Sequence, residues 1–150
     1  MRRAILFLTS MVVMVIVAAV VAFAAVITGT ASANTIDGTA NADNITAANG
    51  ADTVNAKGGN DKVFGDGGND TLHGGAGADH IEGATGANAV FGDADSDWLS
   101  VADNDFNDFV SGGDGFDTCV VDYELSDSGG PDIHDEWSSS CEIVRRVEID

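Results

Sequence analysis

Carboxylates recur along this chain at a spacing that points to cation binding. Aspartate stands at Asp43, Asp52, Asp61, Asp70, Asp79, Asp97, Asp108 and Asp117, and Asn88 fills the one gap in the series. From Gly38 to Ser100 the chain divides without breaks into seven nonapeptides in which these residues are position six: GTANADNIT, AANGADTVN, AKGGNDKVF, GDGGNDTLH, GGAGADHIE, GATGANAVF and GDADSDWLS. Val101 and Ala102 interrupt the phase, which resumes as DNDFNDFVS and GGDGFDTCV from Asp103 to Val120. Residues 34–150 hold all 20 aspartates, which by chance would put fewer than two in these nine places.

The elements that position these side chains follow from the rest of the unit. Position eight reads Ile45, Val54, Val63, Leu72, Ile81, Val90, Leu99, Val110 and Cys119, all apolar. One inward apolar residue between two outward ones is the alternation of a very short strand. Positions one to five collect Gly, Asn, Asp and Ala, with glycine pairs such as Gly58-Gly59 and Gly74-Gly75 that suit tight turns. A three-residue strand is not stable alone. Stacked at a strand spacing of roughly 4.8 Å, such strands pair with the coils above and below, and position eight becomes a continuous apolar ladder.

Charge narrows the partners. The 150 residues carry 25 acidic against 6 basic side chains, a net charge of -19. Such a chain repels nucleic-acid phosphates and acidic membrane surfaces, so cations are its natural partners and nucleic acid is excluded. Weak hydrophobicity with this much charge is also the composition of a chain that does not fold unaided. The apolar residues are concentrated at the start, where Arg2 and Arg3 precede an uncharged stretch from Ala4 to Ile27 and then Ala31-Ser32-Ala33. This pattern predicts a signal peptide over residues 1–33, cut before Asn34, with the mature chain secreted; the alternative is an uncleaved membrane anchor. No stable membrane insertion of the mature chain is expected.

The nonapeptides resemble the RTX, or hemolysin-type, calcium-binding repeats, whose pattern is G-G-x-G-x-D-x-U-x with U a large apolar residue. Gly74 to Glu82 and Gly112 to Val120 match best, followed by Gly65 to His73. The resemblance implies an all-β fold, a right-handed parallel β-roll of about nine units over residues 34–120, with two units per coil. It also implies Ca2+ held between stacked turns by position-six carboxylates and backbone carbonyls. One edge would carry Asp43, Asp61, Asp79, Asp97 and Asp117, and the other Asp52, Asp70, Asn88 and Asp108. Calcium takes six to eight oxygens in a flexible shell, so such rows suit it better than zinc, copper or the compact octahedron of magnesium.

Departures from the pattern mark weaker places. Asn88 offers an oxygen without charge, the first two units lack most glycines, and Phe106 stands where Gly is expected. The Val101-Ala102 insertion predicts a bulge. Asp66, Asp93, Asp95 and Asp114 fall in turns, where they either add ligands or are solvated.

Residues 121–150 read as a cap over the last coil, with a turn over 128–132, a returning strand from Cys141 to Ile149, and Tyr123 and Trp137 packed there. Cys119 and Cys141 either form a bridge closing a loop worth about 3 kcal/mol or remain separate thiols. Catalysis finds no support: there is no HExxH, GxSxG or phosphate loop, His73 and His80 flank inward residues, His134 lies in an acidic loop, and Ser138 to Ser140 and Asp135-Glu136 read as loop. The chain therefore reads as a secreted calcium-binding module that folds on the ion and is not an enzyme. The alternative is a calcium-stabilised structural or adhesive surface for a cell wall, polymer or protein, although position seven shows no regular array.

Overall fold

A computed structural model describes residues 24–103, 107–125, 131–133, 136–138 and 140–148, and among them every regular element is a strand. The chain starts with β1 (Val26–Thr28) and β2 (Thr35–Asp37), then β3 (Asn44–Thr46), β4 (Thr53–Asn55), β5 (Lys62–Phe64) and β6 (Thr71–Ala76). It continues through β7 (His80–Glu82), β8 (Ala89–Ala94), β9 (Trp98–Ser100), β10 (Phe109–Asp114) and β11 (Asp117–Leu125). The tail adds β12 (Pro131–Ile133), β13 (Glu136–Trp137) and β14 (Cys141–Glu148).

Odd-numbered strands β1 to β11 form one sheet and even-numbered strands β2 to β10 the other, each a parallel stack. Ile45 lies opposite Val63, and Val63 opposite Ile81. Two nonapeptides therefore make one coil of a β-solenoid. Position eight forms the expected ladder: Ile45, Val54, Val63, Leu72, Ile81, Val90, Leu99, Val110 and Cys119 are fully buried. Because the period of a strand is two, position six and position one of the next unit point inward as well. The aspartates of position six are all buried, and Ala47, Ala56, Val101 and Val121 at position one join the apolar core.

Two features differ from the sequence reading. The ladder starts ahead of Gly38: Ile27 pairs with Ile45, and Ile36, nearly buried, pairs with Val54. Val101 is not part of a bulge. Its N–H donates to the Val120 carbonyl at 2.9 Å and its side chain is buried, so it takes position one and the two extra residues fall in the following turn. Beyond that turn the step between coils lengthens, with Ala89 opposite Phe109 and Trp98 opposite Thr118.

The tail returns to the solenoid as expected. β14 runs parallel to β11 over Cys141 to Glu148, β12 is antiparallel to the end of β11, and β13 extends the other sheet beside β10. The Ser111, Ser138 and Ser140 hydroxyls form one hydrogen-bonded group, and Ser140 Oγ also accepts the Gly113 N–H at 3.0 Å. These serines attach the tail to the second sheet. Residues 126–130, which hold most of the expected turn, His134, and the side chains of Tyr123 and Trp137 lie outside the described residues.

Cys119 and Cys141 form a disulfide, with 5.8 Å between their Cα atoms. Cys119 occupies position eight, so the bridge ties the last core rung to the tail. Loop-closure entropy assigns it about 3 kcal/mol. Cys141→Ser is expected to lower the unfolding free energy of the calcium-loaded protein by about that amount, read from denaturant midpoints. An unchanged midpoint would show that the tail docks without the bridge.

Candidate metal centres

The eight aspartates predicted from the repeat occupy two buried columns, one along each edge where the chain leaves a turn and enters a strand. Within a column each backbone N–H donates to the carboxylate of the residue one coil later. Asp43 N donates to Asp61 Oδ1 at 2.6 Å, Asp61 N to Asp79 at 2.8 Å, Asp79 N to Asp97 at 2.8 Å, and Asp97 N to Asp117 at 2.9 Å. On the other edge Asp52 N donates to Asp70 at 2.8 Å, Asp70 N to Asn88 Oδ1 at 3.0 Å, and Asn88 N to Asp108 at 2.6 Å. One oxygen of each side chain thereby joins two coils.

The second oxygen is what makes these columns candidate metal centres. Oδ2 of Asp52, Asp61, Asp70, Asp79, Asp97 and Asp117 is buried and accepts no hydrogen bond from the protein. A buried charged oxygen without a partner is costly, by several kcal/mol for a carboxylate taken out of water. Glycine at position one lets the backbone come close to this oxygen, where a side chain would collide with it. A Cβ on Gly74 would stand 2.3 Å from Asp79 Oδ2 and 2.9 Å from the Gly92 carbonyl oxygen, and one on Gly92 would stand 2.3 Å from Asp97 Oδ2 and 2.5 Å from the Gly112 oxygen. The space beside position one is therefore bordered by a carboxylate oxygen and a carbonyl oxygen, and the carboxylate oxygen meets no donor.

Asn88 shows what such a space demands. Its Nδ2 donates to the Ala84 carbonyl at 2.6 Å and the Gly86 carbonyl at 2.9 Å, the carbonyls of positions two and four of its own turn. In the Asp79 unit the same positions are Gly75 and Gly77. Where asparagine supplies two N–H groups, aspartate supplies only another oxygen. A set of hard oxygens converging without hydrogen fits a hard divalent cation with a flexible shell, which is calcium.

The other predicted ligands differ among themselves. Asp43 is already saturated: Oδ2 accepts Thr39 N at 2.6 Å, and Oδ1 accepts Thr39 Oγ1 at 3.0 Å and Ala25 N at 2.7 Å. Asp108 is buried and accepts the Asn88 N–H, beside a turn that lies partly outside the described residues. Asp52 and Asp61 keep the open oxygen, with Ala47 and Ala56 in place of the position-one glycine. Of the turn aspartates, Asp93 faces His73 at 3.0 Å and Asp95 accepts the Gly77 N–H at 3.0 Å, while Asp66 and Asp114 are exposed.

Two acids lie outside the predicted set. Glu142 Oε2 accepts Asp117 N at 2.5 Å and so continues the first column into the tail, and Asp122, fully buried, accepts Asp103 N at 2.8 Å. Neither sits in a repeat, so periodicity carries no signal for them.

Electrostatics follow the hydrogen bonds. Burial pushes Asp61, Asp70 and Asp117 up, Asp79 to about 6 and Asp97 to about 7, with neighbouring carboxylates adding to the rise. At Asp43 burial also acts upward, but the bonds from Ala25 and Thr39 outweigh it and the pKa falls.

The sequence profile of the RTX calcium-binding nonapeptide repeat, in four copies, matches residues 28–63, 64–99 and 103–119. No significant match is found among curated proteins or among solved structures.

In the ion-free chain, the raised pKa values mean that the coil binds more protons than the unfolded chain between about pH 4 and pH 7. Stability of the ion-free coil therefore falls as pH rises through that window. Circular dichroism in chelator is expected to show more strand at pH 4.5 than at pH 7.5, and the reverse order would refute the raised pKa values of Asp79 and Asp97.

Proposed function

Since this chain belongs to the RTX calcium-binding nonapeptide repeat family and binds calcium between its turns, we propose that it is an exported protein whose coil forms on calcium binding, without catalytic activity of its own. The observation that carries this reading is the row of buried Oδ2 atoms without a donor. In the ion-free state the unfolded chain hydrates every carboxylate, whereas the coil buries them in two like-charged columns. Calcium reverses that balance by supplying the missing partner, so binding free energy becomes folding free energy.

The ligands in this reading are Asp52, Asp61, Asp70, Asp79, Asp97 and Asp117, with Asp108 at the irregular turn. Asp43 is left out because its oxygens are occupied by Thr39 and Ala25. The amino-terminal segment, basic at Arg2 and Arg3 and then apolar, acts as the export signal, which delivers the chain to a compartment where the Cys119–Cys141 bridge is stable. The coil acts as a scaffold that gains its shape only where calcium is abundant.

One further observation favours attachment as the use of that shape. Sorted by sheet, the outward side chains form short ring columns: His80 stacks on Trp98 at 4.2 Å on one face, and His73 on Phe91 at 4.6 Å with Phe109 next to it on the other. The run along the sequence conceals this, because adjacent units lie on opposite faces and the His73–Phe91 pair stands at position nine, not seven. Flat rings on a rigid sheet suit a polymer or protein partner.

Calcium titration of the exported chain, followed by circular dichroism and Trp98 fluorescence, is expected to produce strand signal that chelator abolishes and magnesium does not replace. Asp79→Asn, whose amide can plug its own turn as Asn88 does, is expected to remove one bound ion and raise the midpoint about tenfold. Asp43→Asn is expected to leave the ion count unchanged. A chain equally ordered in chelator, or equal effects of the two substitutions, would overturn the reading.

A further inference from the structure

The coil starts earlier than the small-residue motif Ala31-Ser32-Ala33 allows. Strand β1 pairs with β3 over Val26 to Thr28, Gly29 N donates to Thr46 O at 2.8 Å, and Asn44 N donates to Ala25 O at 2.8 Å. Ile27 packs against the core rung at Ile45. The turn between β1 and β2 is also built into its neighbour. Gly50 has φ +133, and a Cβ there would stand 2.7 Å from the Ser32 carbonyl carbon and 2.9 Å from Ala33 N. Cleavage before Asn34 would remove all of these partners and leave Ile45 at an open end. The family profile likewise begins at residue 28.

A second small-x-small motif precedes this point: Ala22-Phe23-Ala24 lies near the end of the apolar stretch. From these two observations we infer that signal peptidase cuts the Ala24–Ala25 bond, and that the new amino terminus is held by Asp43. In the reaction, water adds across the amide: hydroxide goes to the Ala24 carbonyl carbon, leaving a carboxylate, and the Ala25 nitrogen departs with the proton and takes another from solvent to become an ammonium. That nitrogen lies 2.7 Å from Asp43 Oδ1. An amide hydrogen bond thus becomes a charge-assisted one without moving the chain.

The rival site offers a similar contact, since Asn34 N donates to Asp52 Oδ1 at 2.6 Å. The two carboxylates are not equivalent. Asp52 Oδ2 is open and buried, so an ammonium on this side chain would compete with calcium. Asp43 is filled by Thr39 on its remaining side and has no ion to lose. The aspartate that departs from the metal-binding pattern is the one that faces the first residue of the coil.

This inference rests on the export reading and is tested apart from it. The full chain is expressed in a bacterial host with Sec export and signal peptidase, and the amino terminus of the exported protein is read by mass spectrometry and Edman sequencing. The expected product begins at Ala25; Ala24→Leu blocks its formation, and Ala33→Leu, at an exposed position, does not. A product beginning at Asn34 overturns the inference and leaves export standing. An uncleaved chain held in the membrane overturns both. As a readout of the anchor, exported Asp43→Asn is expected to show an α-amino group acylated faster at neutral pH than in the parent, because the carboxylate no longer holds its proton; equal rates would remove Asp43 from the role.

Discussion

Every other feature of this solenoid follows from one conflict: a carboxylate that must be buried to join two coils cannot be buried with both oxygens satisfied. The position-six oxygen that accepts a backbone N–H from the preceding coil fixes the rise and register of the stack. The same placement forces its partner oxygen into a space lined by carbonyls. An all-apolar stack would resolve the conflict by omitting the charge. Here the charge is retained in nearly every coil, and outside Asp43 the retained carboxylates at Asp52, Asp61, Asp70, Asp79, Asp97 and Asp117 each leave a buried oxygen that a cation can satisfy.

Glycine and asparagine mark how finely that dependence is set. Gly74 and Gly92 allow a close approach of backbone to carboxylate, since a methyl group there would overlap the carboxylate oxygen. Asn88 closes its own turn from within by directing two N–H groups onto Ala84 and Gly86. The column through Asp70, Asn88 and Asp108 thus contains one turn, that of Asn88, which holds itself together, beside the Asp70 turn, whose second carboxylate oxygen is left open. At Ala84 and Asp93 the second turn position adopts φ of 58 and 75 without glycine, a conformation that costs about 1–2 kcal/mol for a residue with a Cβ. The apo coil therefore carries backbone strain in addition to its charge.

Much of this was legible in the residues, and the remainder was hidden for identifiable reasons. The nine-residue recurrence of Asp and of Val, Ile or Leu located the columns, the strands and the core rung, because burial at both positions demands the same chemistry in each unit. Position one was overlooked as an inward position since Gly there leaves no apolar signal, and only Ala47, Ala56 and Val101 disclose it. Val101 looked like an insertion because the extra residues could be counted on either side of it, and only the bond to Val120 O decides. The rungs at Ile27 and Ile36 lay beside an export-type segment whose apolar residues look the same in one dimension as a core. Asp43 and Asp79 are the same letter at the same position, and what separates them is Thr39, whose backbone N–H and hydroxyl both fall on the Asp43 carboxylate.

The columns also have a direction, and it explains why the two ends are built differently. Each carboxylate bonds the N–H of the coil before it, so a coil's backbone is satisfied only once the next coil is in place. At the amino-terminal end this leaves nothing open, because Asp43 already reaches the Ala25 nitrogen. At the other end the final N–H, that of Asp117, has no further repeat to receive it, and Glu142 of the tail takes that place. The Cys119–Cys141 bridge holds the residue next to Glu142 against the last core rung. Because every position-six bond runs from one coil's N–H to the next coil's side chain, the two ends of the stack need different closures: the carboxyl end needs an acceptor from outside the repeat, and the amino end needs none.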